Sequence, residues 1–323
     1  VPARPAPRRR FALPALLSVT LFAAGCAGPS LRPAGLPAQV ELADVPFHPQ
    51  RQYECGPASL AMLLNAAGVA VDPDALVPEV YLPGRRGSLQ AELVAATRRH
   101  GRVAYVLQPE PSAVYAELAA GRPVVVLQNF GSRGHPQWHY AVAIGYDASH
   151  VLLRSGTDAR LRLRTSRFLG TWERADRWAM VALRPGDLPA RAEPRGFLAA
   201  AGEFEAVAPA EDAIAVYRAA TRRWPAEPAA WFGLGNALAG GHDLSAAEDA
   251  YRHSLAIDPR YVAARNNLAE LLARRGCLAS ARATIARARE DAAGTPLEAA
   301  VRATEAELAA RRDDGPAASC PSP

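Results

Sequence analysis

The stretch from Gln50 to Leu60, QRQYECGPASL, sets a lone cysteine where a loop becomes a helix, with a glutamine five residues upstream. Pro57 suits the first turn of a helix, where its missing N–H costs nothing. Ala58 to Ala67 (ASLAMLLNAA) then supplies good helix formers, with Leu60, Leu63, Leu64 and Ala67 on one apolar face. Cys55 is therefore expected at a helix N-terminus, where unpaired N–H groups and the positive end of the macrodipole favour a thiolate and lower its pKa. A thiolate is the nucleophilic form. The Gln50 carboxamide, one loop away, could donate alongside the Cys55 backbone N–H to an oxygen that develops negative charge. The alternative is that Cys55 is a small buried hydrophobe near a helix start, as many free cysteines are.

A nucleophilic thiol needs a base, and the strands that follow offer one. Val124 to Gln128 (VVVLQ) is a short apolar run that fits a buried strand. After the loop Asn129 to Gln137, His139 to Tyr146 (HYAVAIGY) suits a second strand, and His150 to Ser155 (HVLLRS) returns as a third. His139 thus opens a strand, in a position to lean over a helix N-terminus packed on the sheet. Asp147 lies eight residues along that strand, roughly 26 Å away, and cannot orient the ring. If the hairpin turns about Ala148 and Ser149, Asp158 falls opposite His139 and becomes the expected orienting acid. His135 and His139 are four apart, as in helical metal sites, but Gly134 and Pro136 make that segment a loop, so no metal or other cofactor is expected.

The segments VPFHPQRQYECGPASLAMLL, RPVVVLQNF and HYAVAIGYD resemble the bacteriocin-processing, double-glycine leader peptidases, a papain-like group, over about residues 44 to 185. The resemblance implies an α+β papain-like fold, with Cys55 as nucleophile, His139 as general base and Gln50 as oxyanion donor. That family places Asp-Pro about sixteen residues after the histidine, where this chain has Ser155 and Gly156. Either Asp158 takes over, or Ser155 orients the imidazole without a charge, or the site is weak. An uncharged orienter is tolerable, since papain-like enzymes use an amide there.

The basic side chains number 37, all arginine, against 32 acids. Arg4, Arg8, Arg9 and Arg10 sit at the start, so the remainder is close to neutral and no nucleic-acid partner is expected. These arginines precede Phe11 to Ala24 (FALPALLSVTLFAA), then Gly25 and Cys26. The pattern is that of an export signal over 1–25, and the cysteine after the cut resembles a bacterial lipoprotein signal. Cys26 would then carry the lipid anchor at the cell envelope, on the periplasmic face of the outer membrane, with the Pro- and Gly-rich 26–40 as tether. Cys277 and Cys320 remain and could pair in an oxidising compartment.

From about Pro194 the chain becomes Ala-rich and repeats at a period of 34. Phe197, Trp231 and Arg265 align, as do Ala213, Ala247 and Ala281, and Tyr217, Tyr251 and Ile285. This is the tetratricopeptide period, in which stacked helix pairs bury one continuous core. The expected organisation is a papain-like peptidase domain at 41–187, an all-α tetratricopeptide repeat domain at 194–295, a capping helix at 296–312 and a disordered tail at 313–323. Such an array presents a face to a peptide or protein partner; Asn236, Asn266 and Asn267 could reach extended backbone there, though asparagines are also ordinary helix-surface residues. The expected function is an exported, lipid-anchored cysteine peptidase acting on a peptide or protein substrate. The alternative is an inert papain-like domain in a binding scaffold.

Overall fold

The structure, a computed structural model, describes Val1, Ala3, residues 34–132 and 134–312, and Cys320. The expected signal segment, Cys26 and most of the tail lie outside the described residues. Among the described residues no helix is long and apolar enough to cross a membrane.

The first half is built from β1 (Val40–Glu41), α1 (Cys55–Ala66), α2 (Pro73–Val80), α3 (Gln90–Arg99), β2 (Val103–Val106), α4 (Pro111–Ala119), β3 (Val124–Asn129), β4 (Trp138–Tyr146), β5 (His150–Ser155), β6 (Asp158–Arg164), α5 (Thr165–Glu173) and β7 (Ala179–Leu183). Proline stands in the first turn of α2 and α4, where its fixed φ is already helical. The strands form one antiparallel sheet in the order β2-β7-β3-β4-β5-β6, with β1 added against β4.

Period-two alternation divides the sheet between two cores. Val125 and Leu127 of β3, with Tyr140, Val142 and Ile144 of β4, join Leu60, Leu63 and Leu64 of α1, Leu76 of α2 and Leu93 of α3. Val124 and Val126, with Ala141 and Ala143, belong to the core that contains Val114 and Leu118 of α4 and Phe168 and Trp172 of α5. Successive strand residues point to opposite faces, so near-continuous apolar runs mark strands covered on both sides.

The second half is all helix: α6 (Pro194–Glu205), α7 (Ala210–Arg223), α8 (Pro228–Gly240), α9 (Leu244–Ile257), α10 (Val262–Arg274), α11 (Leu278–Ala292) and α12 (Glu298–Ala310). Helices α6, α8 and α10 start at 194, 228 and 262, and α7, α9 and α11 at 210, 244 and 278, so the 34-residue period is also the period of the structure. Large residues of one helix fill space that small residues of the preceding helix leave open. A Cβ on Gly235 would lie 2.5 Å from the Tyr251 ring, which is why that position has no side chain.

The two halves share a core. Phe197, Phe204 and Tyr217 are continuous with Tyr105 and Leu183 of the sheet, and the same cluster runs on to Leu308. Arg98 of α3 also pairs with Glu203 of α6 at 2.8 Å. At the far end Cys277, which caps α11, forms a disulfide with Cys320, Cα to Cα 5.5 Å. Of the expected tail, this residue is therefore tied to the array.

Candidate active site

Helix α1 begins at Cys55 itself, with Pro57 in its first turn and Glu54 at the N-cap position without a side-chain capping bond. Cys55 is the free cysteine of the described residues and is half-buried. Burial pushes its thiol above the ordinary range, and the backbone N–H groups of Tyr140, Gly56 and Cys55 itself act in the opposite direction. The expected lowering by the helix N-terminus is thus outweighed, because desolvation disfavours the charged form more than these dipoles favour it. Tyr140 directly follows His139, so the thiol meets β4 one residue from the imidazole.

Cys55, His139 and Gln50 line one cleft of about 600 Å³, with Leu127, Trp138 and Ser88 among its other walls. Burial holds His139 below the ordinary imidazole range. Desolvation of both groups favours their uncharged forms, a neutral thiol beside a neutral imidazole. His139 Nε2 lies 2.9 Å from Ser155 Oγ. With Nε2–H donating to that hydroxyl, Nδ1 keeps its lone pair and is the nitrogen left to accept a proton. The Phe130 ring stands 5.6 Å from the imidazole and covers it on one side.

Asp158 does not take up the expected position. The β4–β5 register has a bulge between Ala143 and Gly145, and β5 ends at Ser155, where the chain turns at Gly156 and returns as β6. Gly156 has φ +60°, a left-handed turn conformation that favours glycine. Asp158 consequently pairs with Ser155 across the β5–β6 hairpin and is exposed. The hydroxyl of Ser155 holds the ring instead, and it is buried.

Gln50 is fixed in four directions. Its Nε2 donates to the Tyr140 carbonyl and to Ser59 Oγ, each at 3.2 Å. Its Oε1 accepts from the Gly156 N–H at 3.0 Å, and its own backbone N–H donates to the Gly156 carbonyl at 2.9 Å. This carboxamide braces the turn that carries Ser155 against α1 and β4, a positioning task that the sequence did not announce. Ser59 was the available signal, since it stands one helical turn after Cys55 and so near the same face. Tyr53, two residues before the nucleophile, has φ 68°, an unusual conformation for a bulky residue. Sequence patterns carry no sign of it.

Residues 42–179 match the Peptidase_C39 like family. The sheet domain thus has a C39-like peptidase fold, and the helices after it are consistent with tetratricopeptide-like repeats. Among solved structures, a putative C39-like peptidase from Bacillus anthracis aligns at 21% identity over 46% of this chain and 98% of that one, with a TM-score of 0.38. A double glycine motif protease from an AMS/PCAT transporter, in complex with its leader peptide, aligns at 21% identity over 43% of this chain and 91% of that one, TM-score 0.35. The type III secretion translocator chaperone SycD of Yersinia enterocolitica aligns at 21% identity over 36% and 82%, TM-score 0.34. No curated protein matches the chain.

In the cleft, Asn236 and Asn267 of the array play no part. Asn236 Oδ1 accepts from Tyr251 O–H and from Asn267 Nδ2, each at 2.9 Å, which makes these two asparagines a bridge between helices. Asn266 Nδ2 donates to Glu270 at 2.9 Å.

Proposed function

We propose that the protein is a cysteine peptidase that hydrolyses peptide bonds through Cys55 and His139, anchored to the cell envelope through Cys26, with the helical array holding a protein partner. The observation that carries the catalytic reading is the shared cleft in which Cys55 heads α1 while Ser155 holds Nε2 of His139. Nδ1 of His139 takes the thiol proton as Sγ attacks the peptide carbonyl carbon. The oxyanion so formed is met by the Cys55 backbone N–H and by Gln50 Nε2, which exchanges one of its long internal bonds for it. The imidazolium returns the proton to the departing amine, leaving a thioester. Water, deprotonated by His139, then releases the carboxylic acid and restores the thiol.

The pH dependence follows from the lowered imidazole. His139 must be neutral to accept the proton, and its pKa lies below the ordinary value of about 6.5. Activity is expected to hold as pH falls to about 6.5 and to be lost only beneath it, by about tenfold per unit. Alkylation of Cys55 by iodoacetamide, followed by peptide mass spectrometry, is expected to climb through and beyond the ordinary thiol range rather than to level off below neutrality. A plateau at pH 6 would mean a preformed thiolate instead.

Ser155→Ala removes the group that holds the ring and is expected to lower kcat/KM by roughly tenfold to a hundredfold, the value of one buried hydrogen bond. Asp158→Asn is expected to change it by no more than about twofold, as for an ordinary surface substitution. The reverse ranking in a steady-state assay would restore Asp158 as the orienter. The uncharged orienter and the raised thiol also favour a second reading, an inert domain in a binding scaffold. Absence of any acyl-enzyme after incubation with a peptide thioester would decide for that reading.

A further inference from the structure

The cleft that holds Cys55 is lined by three arginines, Arg51, Arg85 and Arg86, and by no carboxylate. Arg51 is spoken for, since it pairs with Glu54 and with Asp74. Arg85 and Arg86 are exposed, and among the described residues no acid pairs with either. Both sit on a turn fixed at its base: Leu82 N–H donates to the Gly87 carbonyl at 2.8 Å, and Arg85 N–H to the Leu82 carbonyl at 3.0 Å. Arg86 adopts a left-handed φ of 49° and lays its guanidinium 6.0 Å above the Tyr53 ring. Tyr53 is itself left-handed and stands two residues before the nucleophile. A positive group is thereby stacked against the loop that delivers Cys55.

We propose that Arg85 and Arg86 make this cleft select acidic peptides, pairing with an Asp or Glu side chain close to the bond presented to Cys55. The inference rests on the peptidase reading for the bond that is cut, but its charge preference stands on the cleft alone. A planar guanidinium binds a carboxylate through two parallel N–H···O bonds, which gives direction as well as attraction. In a recessed site of one sign of charge, the field is focused and less screened than on an open surface.

The test compares alkylation of Cys55 by iodoacetate and by iodoacetamide at pH 9, read at the Cys55 peptide by mass spectrometry. The first reagent carries the carboxylate and the second does not, and their rate ratio cancels any change in the thiol itself. A unit charge about 7 Å away in a water-like dielectric alters a rate by about threefold. The ratio is therefore expected to fall by about fivefold or more from wild type to R85Q/R86Q at low salt, and the wild-type ratio to fall on adding 0.5 M NaCl. The single variants R85Q and R86Q give the same comparison should the double variant unfold. An unchanged ratio overturns the proposal. Digestion of a tryptic peptide library then reads the peptide preference, with acidic residues enriched beside the cleaved bonds in wild type and not in the variants. Cleavage with no such enrichment also overturns it, whereas absence of all cleavage strikes the peptidase reading and leaves the charge selection decided by the alkylation ratio.

Discussion

Cys55→Ala is expected to abolish peptide hydrolysis, by at least about 10³-fold, while leaving the melting temperature nearly unchanged. The loss is large because a nucleophile and its base act as a unit, and removal of either commonly costs most of the chemical acceleration. The stability effect is small because the Cys55 sulfur faces a cleft rather than a closed core, so its removal opens no sealed void. Cys55→Ser should be nearly as inactive, since its hydroxyl is a far weaker acid than the thiol it replaces. His139→Ala gives the same loss at pH 7 but a different pH profile. Without the imidazole, attack requires a thiolate formed by hydroxide, so residual activity should rise with pH through the raised thiol range. The acid limb assigned to His139 should vanish at the same time. Full activity in Cys55→Ala would end the assignment of Cys55 as nucleophile, and an unchanged acid limb in His139→Ala would assign the base elsewhere.

Much of this site is written locally. The Cys55 helix start, the apolar strands and the hairpin from His139 to Ser155 each follow from residue types within a few positions of one another. The repeat array is legible for the same reason, because each helix pair packs mainly on its neighbours and so leaves a period in the chain. For the orienting residue the sequence leaves Asp158 and Ser155 both open, and the structure brings Ser155 to the ring. Counting across the hairpin from His139 reaches Asp158 only if β5 continues, and the bulge at Ala143 with the turn at Gly156 shortens it. The alternation ARLRLR after Asp158 was a sign that a separate strand begins there. For the thiol, sequence shows a helix N-terminus but not how much of the charge is desolvated, and burial raises it. The bracing by Gln50 joins residues 50, 59, 140 and 156, and no local pattern can show such a meeting. The Cys277–Cys320 pairing, by contrast, was open to elimination among four cysteines, and the disulfide is present.

Phe197→Ala is expected to destabilise the catalytic sheet and the array together. Phe197 is fully buried, with its ring 6.4 Å from that of Tyr105 on β2 and 5.7 Å from that of Trp224 after α7. One side chain thus touches both halves. Truncation of such a ring costs about 3–5 kcal/mol from lost transfer energy and the void left behind. For a body of this size that corresponds to a fall of roughly 6–20 °C in melting temperature. The continuity of the core decides how the fall is shared. Because Phe197 and Phe204 belong to the same cluster as Leu183 of the sheet and Leu308 of the last helix, loosening α6 exposes apolar surface on both sides. Loss of helix by circular dichroism and loss of amide-exchange protection in β3 and β4 should therefore shift by the same amount in Phe197→Ala. Leu308→Ala provides the contrast, since Leu308 is equally buried but lies at the free end of the array. There the helical signal should soften first, as end repeats can fray from a stack held by nearest-neighbour contacts. Two separate transitions in Phe197→Ala, with the β3 and β4 amides still protected after the helices melt, would show that α6 belongs to the array alone.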